Sequence, residues 1–300
     1  MPTLRPFARL RSAPDIRRGY DDRERHMSRR TWLRTVLASG AGLAAGASAY
    51  GALYERHALR LSTADMPIDG LPDALSGLRI GLLTDIHRSP WVSHEDVDHA
   101  VRLLLNAQPD LVVLGGDYVT WSDKRFVGPA AEALAALTAP QGVFAVLGNH
   151  DDERDVTAAL GAQGFTVLRD ARTRLTIKGE PLEVGGIRFW TRRAADVAAV
   201  MRGARGTTLL LAHDPRRLQE AADIGVSGVL SGHTHGGQVV LPGLGAVAAR
   251  KFPVVAGLAR HQRTSLFVSR GLGTVYLPVR LNCPPEVAVV TLRPTSPRTT

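Results

Sequence analysis

The 300-residue sequence predicts an α/β fold. Two observations carry that reading. Apolar runs of strand length alternate with segments whose apolar residues recur at helical spacing. The runs also end, one after another, in histidine, aspartate or asparagine. In an open α/β sheet the carboxyl ends of the strands face a common crevice, so such residues have a place to meet.

Residues 57–68 read as the first strand. Residues 78–83 form a buried strand ending in Thr84-Asp85-Ile86-His87. Ser93 and Asp96 signal a helix start, and Val97, Val101, Leu104 and Leu105 follow at helical spacing. Leu111 to Leu114 is a second strand, ending in Gly115-Gly116-Asp117. Gly128-Pro129 opens a helix with Ala133, Leu134 and Leu137 inward. A strand from Val143 to Leu147 ends in Gly148-Asn149-His150-Asp151, and Asp151 or Asp152 caps the helix carrying Val156 and Leu160. Residues 165–189 are strand-like, with a turn near Gly179-Glu180-Pro181. A helix at 194–201 precedes a strand at 207–211 that ends in Ala212-His213. Asp214-Pro215 starts a helix closed by Gly225. Val226 to Leu230 leads into Gly232-His233-Thr234-His235-Gly236-Gly237-Gln238. Further strands are expected at 238–241, 265–269, 275–277 and 287–292, and the Pro/Ser/Thr-rich tail, 294–300, reads as disordered.

Hydrophobic residues make up 44% of the chain, enough for one sizeable core, which places a single domain at 55–293. The net charge is +9, but residues 1–34 hold ten arginines against four acids, which leaves only +3 for the rest. A nucleic-acid binder carries its basic surface on the folded domain, so no nucleic-acid partner is expected. Cys283 is the only cysteine. That excludes an intramolecular disulfide and any Cys-rich zinc or iron–sulfur site. The residue reads as a small buried hydrophobe.

Residues 1–54 form a basic leader. Ser28-Arg29-Arg30-Thr31-Trp32-Leu33-Arg34 precedes an uncharged run from Thr35 to Tyr54. This resembles a bacterial twin-arginine export signal. The run is long enough to span a bilayer, which takes about 20 residues, and Ala47-Ser48-Ala49 fits a cleavage site. Cleaved or retained, it places the domain outside the cytoplasm, delivered by the twin-arginine machinery and tethered to the membrane if uncleaved. Met27 offers an alternative start, with residues 1–26 a dispensable prefix.

The polar strand ends are Asp85 and His87, Asp117, Asn149 and His150, His213, and His233 and His235. Seven ligands exceed one tetrahedral site but suit two metals sharing a bridging carboxylate. Alternate residues of extended backbone share a side, so His233 and His235 can face one point. The flanking glycines allow the sharp bend. His26, His57, His94, His99 and His261 lack such a setting and read as surface or packing residues.

Taken in order, these motifs resemble those of the calcineurin-like metallophosphoesterases, over residues 78–292. Ser269-Arg270-Gly271 and the stretch from Arg280 to Glu286 further resemble its membrane-associated, twin-arginine-exported branch of YkuE-like and YaeI-like phosphodiesterases. The resemblance implies a four-layer α/β-β/α sandwich of two mixed sheets flanked by helices. It implies that Asp85, His87 and His235 hold one metal, that Asn149, His213 and His233 hold another, and that Asp117 bridges them. The cofactors would be two divalent ions, Mn, Fe, Zn or Co, since mixed His/Asp/Asn ligation accepts each. The implied reaction is hydrolysis of a phosphodiester or pyrophosphate by a hydroxide shared between the cations, with His150 stabilising the transition state or protonating the leaving group.

The substrate would be a small-molecule or lipid-linked phosphoester. Arg88, Arg270 and Arg280 are candidate phosphate contacts; Trp91 and Trp121 either line the cleft or pack under their own loops. The alternative activity is that of a UDP-2,3-diacylglucosamine pyrophosphatase-like lipid hydrolase. A nuclease on the same scaffold is disfavoured by export and by the mild charge after residue 34. The alternative of another class is a non-catalytic interaction module. One position departs from the family: Thr120 stands where an acidic residue often orients the catalytic histidine, leaving Asp151 or Asp123 to stand in.

Overall fold

The computed structural model describes residues 27–295. The proposed prefix 1–26 and the end of the tail, 296–300, lie outside the described residues. Helix α1 (Arg29–Leu53) carries the uncharged run, and Ser28 Oγ accepts the Thr31 N–H at 3.1 Å to cap it. Its side chains are exposed except near Gly51.

Among the described residues, twelve strands form two six-stranded sheets. The first contains β1 (Arg60–Ile68), β2 (Arg79–Leu83), β3 (Leu111–Leu114), β4 (Val143–Ala145), β5 (Thr166–Val167) and β12 (Glu286–Pro294), in the order β1-β12-β2-β3-β4-β5. Only the β12–β2 pair is antiparallel. The second contains β6 (Ala171–Ile177), β7 (Glu180–Gly186), β8 (Thr207–Leu211), β9 (Gly228–Ser231), β10 (Gly257–His261) and β11 (Thr264–Val268), in the order β10-β11-β9-β8-β7-β6. Its edge pairs, β10–β11 and β6–β7, are antiparallel, and the rest are parallel.

The central strands are largely apolar because both faces are buried, and their two-residue period divides the core into layers. Ile80, Leu82, Val113, Leu209, Leu211, Ala288 and Val290 pack between the sheets. Leu83, Val112, Leu114, Val287 and Val289 point the other way, under α2 (His94–Asn106), α3 (Val127–Leu134) and α4 (Glu153–Ala162). Leu210, Val229, Leu266 and Val268 lie under α5 (Ala194–Met201) and α6 (Leu218–Asp223). The result is the four-layer α/β-β/α sandwich. Helix α2 starts at the expected capping box, Ser93 with Asp96.

Residues 165–189 are strand-rich with a turn at 178–179, as expected; β5 closes the first sheet, and β6 and β7 form one edge of the second. The structure departs from the sequence reading at three other places. Residues 238–241 and 275–277 form no strand; Val239 makes only an isolated bridge to Leu281, and Leu241 one to Gly245. Strand β10 was not anticipated, since its exposed edge position leaves little apolar signal. Helix α3 starts before Gly128-Pro129, after a 3-10 turn that Asp123 caps.

Candidate metal centre

The carboxyl ends of β2, β3, β4, β8 and β9 meet where the two sheets face each other. Backbone and side chain cross between the sheets here. Both oxygens of Asp85, after β2, accept the His233 N–H at 3.0 Å. His213, after β8, places Nδ1 2.8 Å from the Gly115 carbonyl, after β3. Gly116 adopts φ 98°, and a Cβ there would strike the Gly148 backbone; only glycine lets these two loops touch.

Asp85, His87, Asp117, His233 and His235 all have positive φ, between 49° and 72°. For residues with a Cβ this region costs about 1–3 kcal/mol each and persists where the surroundings over-determine it. It turns each chain sharply off its strand, so that the side chain points back into the crevice.

Two donor groups result: Asp85, His87 and His235, and Asp117, His213 and His233, each with ligand atoms within 4.8 Å of one another. The two members of the His-x-His therefore do not face one point. They sit in a bend and a 3-10 turn rather than in extended backbone, and each joins a different group. Asp117 lies between: its Oδ2 is 3.1 Å from His213 Nε2 and 3.6 Å from His87 Nε2. Asn149 and His150 line the same cleft.

The donor set fits cations. His87 Nε2 and His235 Nε2 stand 3.1 Å apart, and His235 Nε2 is 3.3 Å from Asp85 Oδ1. His213 turns its Nδ1 to a carbonyl and aims its Nε2 at the Asp117 carboxylate, 3.1 Å away. Asn149 Oδ1 is buried without a hydrogen-bond partner. Converging lone pairs repel unless a proton or a metal lies among them.

The electrostatics carry the same signature. Burial pushes His87 down to about 4 and His233 to about 3, and His235 far below its ordinary value. All three are thus neutral donors at pH 7. Burial works in the same direction on His213, but Asp117 outweighs it and lifts the imidazole to about 10. Burial and the neighbouring Asp117 raise Asp85 to about 6, against the pull of His213. Burial would raise Asp117 too, yet His213 holds it well below the carboxylate range.

The surroundings answer the question posed by Thr120. Its Oγ1 is 3.1 Å from His87 Nδ1, so it orients a candidate ligand and not His150. His150 Nδ1 instead accepts the Trp121 backbone N–H at 3.0 Å. Asp123 does not reach the site, being spent on its own turn. Nor does Asp151 cap α4, which is left to Asp152. Its buried carboxylate accepts the N–H groups of Asp117, Tyr118 and Gly148, each at 2.8 Å, and pins the β3 and β4 loops together. Sequence reading missed both roles, because each depends on contacts 30 or more residues apart.

The three arginines expected on substrate are engaged elsewhere. Arg88 donates to the Ser89 and Val92 carbonyls. Arg270 pairs with Glu286 at 2.6 Å and with Ser62. Arg280 is wholly buried, donating to the carbonyls of Gly273, Arg270, Gly271 and Cys283. That loop packs on the first donor group, since a Cβ on Gly271 or Gly273 would collide with Asp85 or with Ile86 and His87. Arg280 is thus a buttress. Among the residues lining the cleft of about 320 Å³, the basic side chain that sequence reading passed over is Lys251. Cys283 is buried, as its single occurrence suggested. Trp91 and Trp121 do not pack under their loops; both are exposed and line a second cleft beside the first.

Two buried groups of imidazole and carboxylate donors at the facing strand ends of a four-layer sandwich define a metal-dependent hydrolase of phosphoesters. The chain belongs to the calcineurin-like phosphoesterase family, whose profile matches residues 78–237. It is 31% identical to the uncharacterized metallophosphoesterase YkuE of Bacillus subtilis, over 90% of this chain and 99% of that protein. It is 32% identical to phosphodiesterase YaeI of Escherichia coli, over 73% and 84%. A zebrafish transmembrane protein with a metallophosphoesterase domain is 30% identical, over 81% of this chain and 60% of that one.

Proposed function

We propose that the chain hydrolyses a phosphodiester or pyrophosphate at a dinuclear centre. Asp85, His87 and His235 would hold one divalent ion, Asn149, His213 and His233 the other, with Asp117 shared. The observation that supports this reading is the position of Asp117 Oδ2, within 3.6 Å of a histidine of each donor group. Bound cations would supply Lewis acidity toward a phosphoryl oxygen and toward water. The chain's own residues do the rest. The Trp121 N–H holds the proton of neutral His150 on Nε2, at the cleft, ready for the departing oxygen. Lys251, which lines the same cleft, offers a positive charge to phosphate.

For the leader, we propose export through the twin-arginine route and retention as a tether. Helix α1 is long and apolar enough to cross a membrane by length and composition. The zebrafish relative is itself named a transmembrane protein.

The test of the activity uses the full chain in detergent with bis-p-nitrophenyl phosphate and Mn, Fe, Zn or Co in turn. Turnover with at least one metal, lost in Asp117→Ala, supports the hydrolase. Two metals bound per chain with no turnover of diester, pyrophosphate or monoester would favour a binding module.

A further inference from the structure

The end of α1 is built into the wall of the catalytic cleft. Gly51 is buried, because a Cβ there would collide with the Arg280 carbonyl and Val279. The Gly51 carbonyl accepts the Arg280 N–H at 3.2 Å. Two residues past the helix, the buried Glu55 carboxylate accepts the N–H groups of Asn282 and Cys283 at 3.0 and 2.6 Å. Arg56 donates to the Trp91 carbonyl at 2.8 Å. The segment seated by these bonds also carries Tyr276 and Leu277, which line the cleft that holds Asp117, His150 and His233.

A row of exposed aromatic rings follows the same path. Tyr50 and Tyr54 pair at the helix end, with ring centres 5.4 Å apart. Trp91, fixed by Arg56, comes next. It shares a cleft of about 500 Å³ with Trp121, Tyr276 and Leu277. Trp121 and Tyr276 stand edge to face, their centroids 5.3 Å apart. Trp91, Trp121, Tyr276 and Leu277 are each between 58% and 79% exposed. Four large apolar side chains left together in water call for a partner.

We propose that this row is a lipid-contact surface, which sets the mouth of the catalytic cleft against the bilayer that α1 enters. Tyr and Trp concentrate at the membrane–water interface, where a ring with one polar edge is half satisfied on each side. The occupant is a bilayer rather than a protein because the row is continuous with the end of an apolar helix of spanning length. Substrate would then reach the donors along the membrane surface.

The inference rests on the tethered reading of the leader, and one experiment separates the two. Full-length protein carrying Trp32→Phe and Trp190→Phe keeps Trp91 and Trp121 as its only tryptophans. It is reconstituted into vesicles of phosphatidylcholine and phosphatidylglycerol, with and without bromine on the acyl chains. Flotation with the vesicles and an emission drop of twofold or more with brominated lipid is the expected result. Flotation with unchanged emission overturns the lipid-contact surface and leaves the tether standing. Failure to float overturns both. Trp91→Ser in the same background checks the geometry: the drop should shrink but persist through Trp121, and a drop unaffected by this change would place Trp91 outside the contact and overturn the row.

Discussion

The backbone N–H of Trp121 donates to Nδ1 of His150 across 3.0 Å. A main-chain donor cannot reverse its role, so the neutral imidazole carries its proton on Nε2. Burial pushes His150 below its ordinary value. His150→Gln is expected to lower kcat for a diester by about 10²–10⁴, with metal content unchanged. Trp121→Phe, which keeps the N–H, should retain most of that kcat. Steady-state kinetics with elemental analysis checks both.

Thr120 Oγ1 holds His87 by its Nδ1. Groups that orient a metal-binding histidine typically contribute 10–100-fold in affinity. Thr120→Val preserves shape and removes that bond. The expected outcome is a weakening of about that size in one of two binding events, read by chelator competition. Equal weakening of both sites would assign Thr120 to general stability.

Arg280 donates to five carbonyls, that of His235 among them, from a position with no solvent exposure. Each buried carbonyl left without a donor costs about 1–3 kcal/mol. Arg280→Met should therefore lower stability by several kcal/mol in urea unfolding. Arg280→Lys should recover only part, since one ammonium cannot reach a fork of acceptors. A surface role on substrate would instead leave stability unchanged and raise KM.

Asp96 closes the capping box of α2: its carboxylate accepts the Ser93 N–H at 2.8 Å, and Ser93 Oγ accepts the Asp96 N–H. Burial opposes the charge, but the bonds from Ser93 and the contact with His57 prevail and hold the group below its ordinary 3.8. A depressed carboxyl stabilises the fold fully above its unfolded value and ceases to do so as pH falls through the folded one. Asp96→Asn should thus cost about 0.3–1 kcal/mol at pH 7, and the difference from wild type should shrink as pH falls below the ordinary carboxyl value of 3.8. Thermal melts across pH 2.5–7 would show it.

Much of the layered fold was legible before any coordinates. Both faces of β2, β3, β8 and β9 are buried over most of their length, so those runs are largely apolar and end sharply. Helix α2 announced itself through a cap whose partners are three residues apart. The strands expected at 238–241 and 275–277 failed because short apolar runs also serve as cleft walls, and local pattern does not say which neighbour will be found.

The sequence by itself determined which residues stand at the ends of the buried strands, since local propensity and periodicity act within a few residues. Only the tertiary structure decided that Thr120 serves His87, that Asp151 clamps two loops and that Arg280 goes inside. Each of those outcomes depends on groups far apart in the chain, where packing and the need to satisfy buried polar atoms choose the partner.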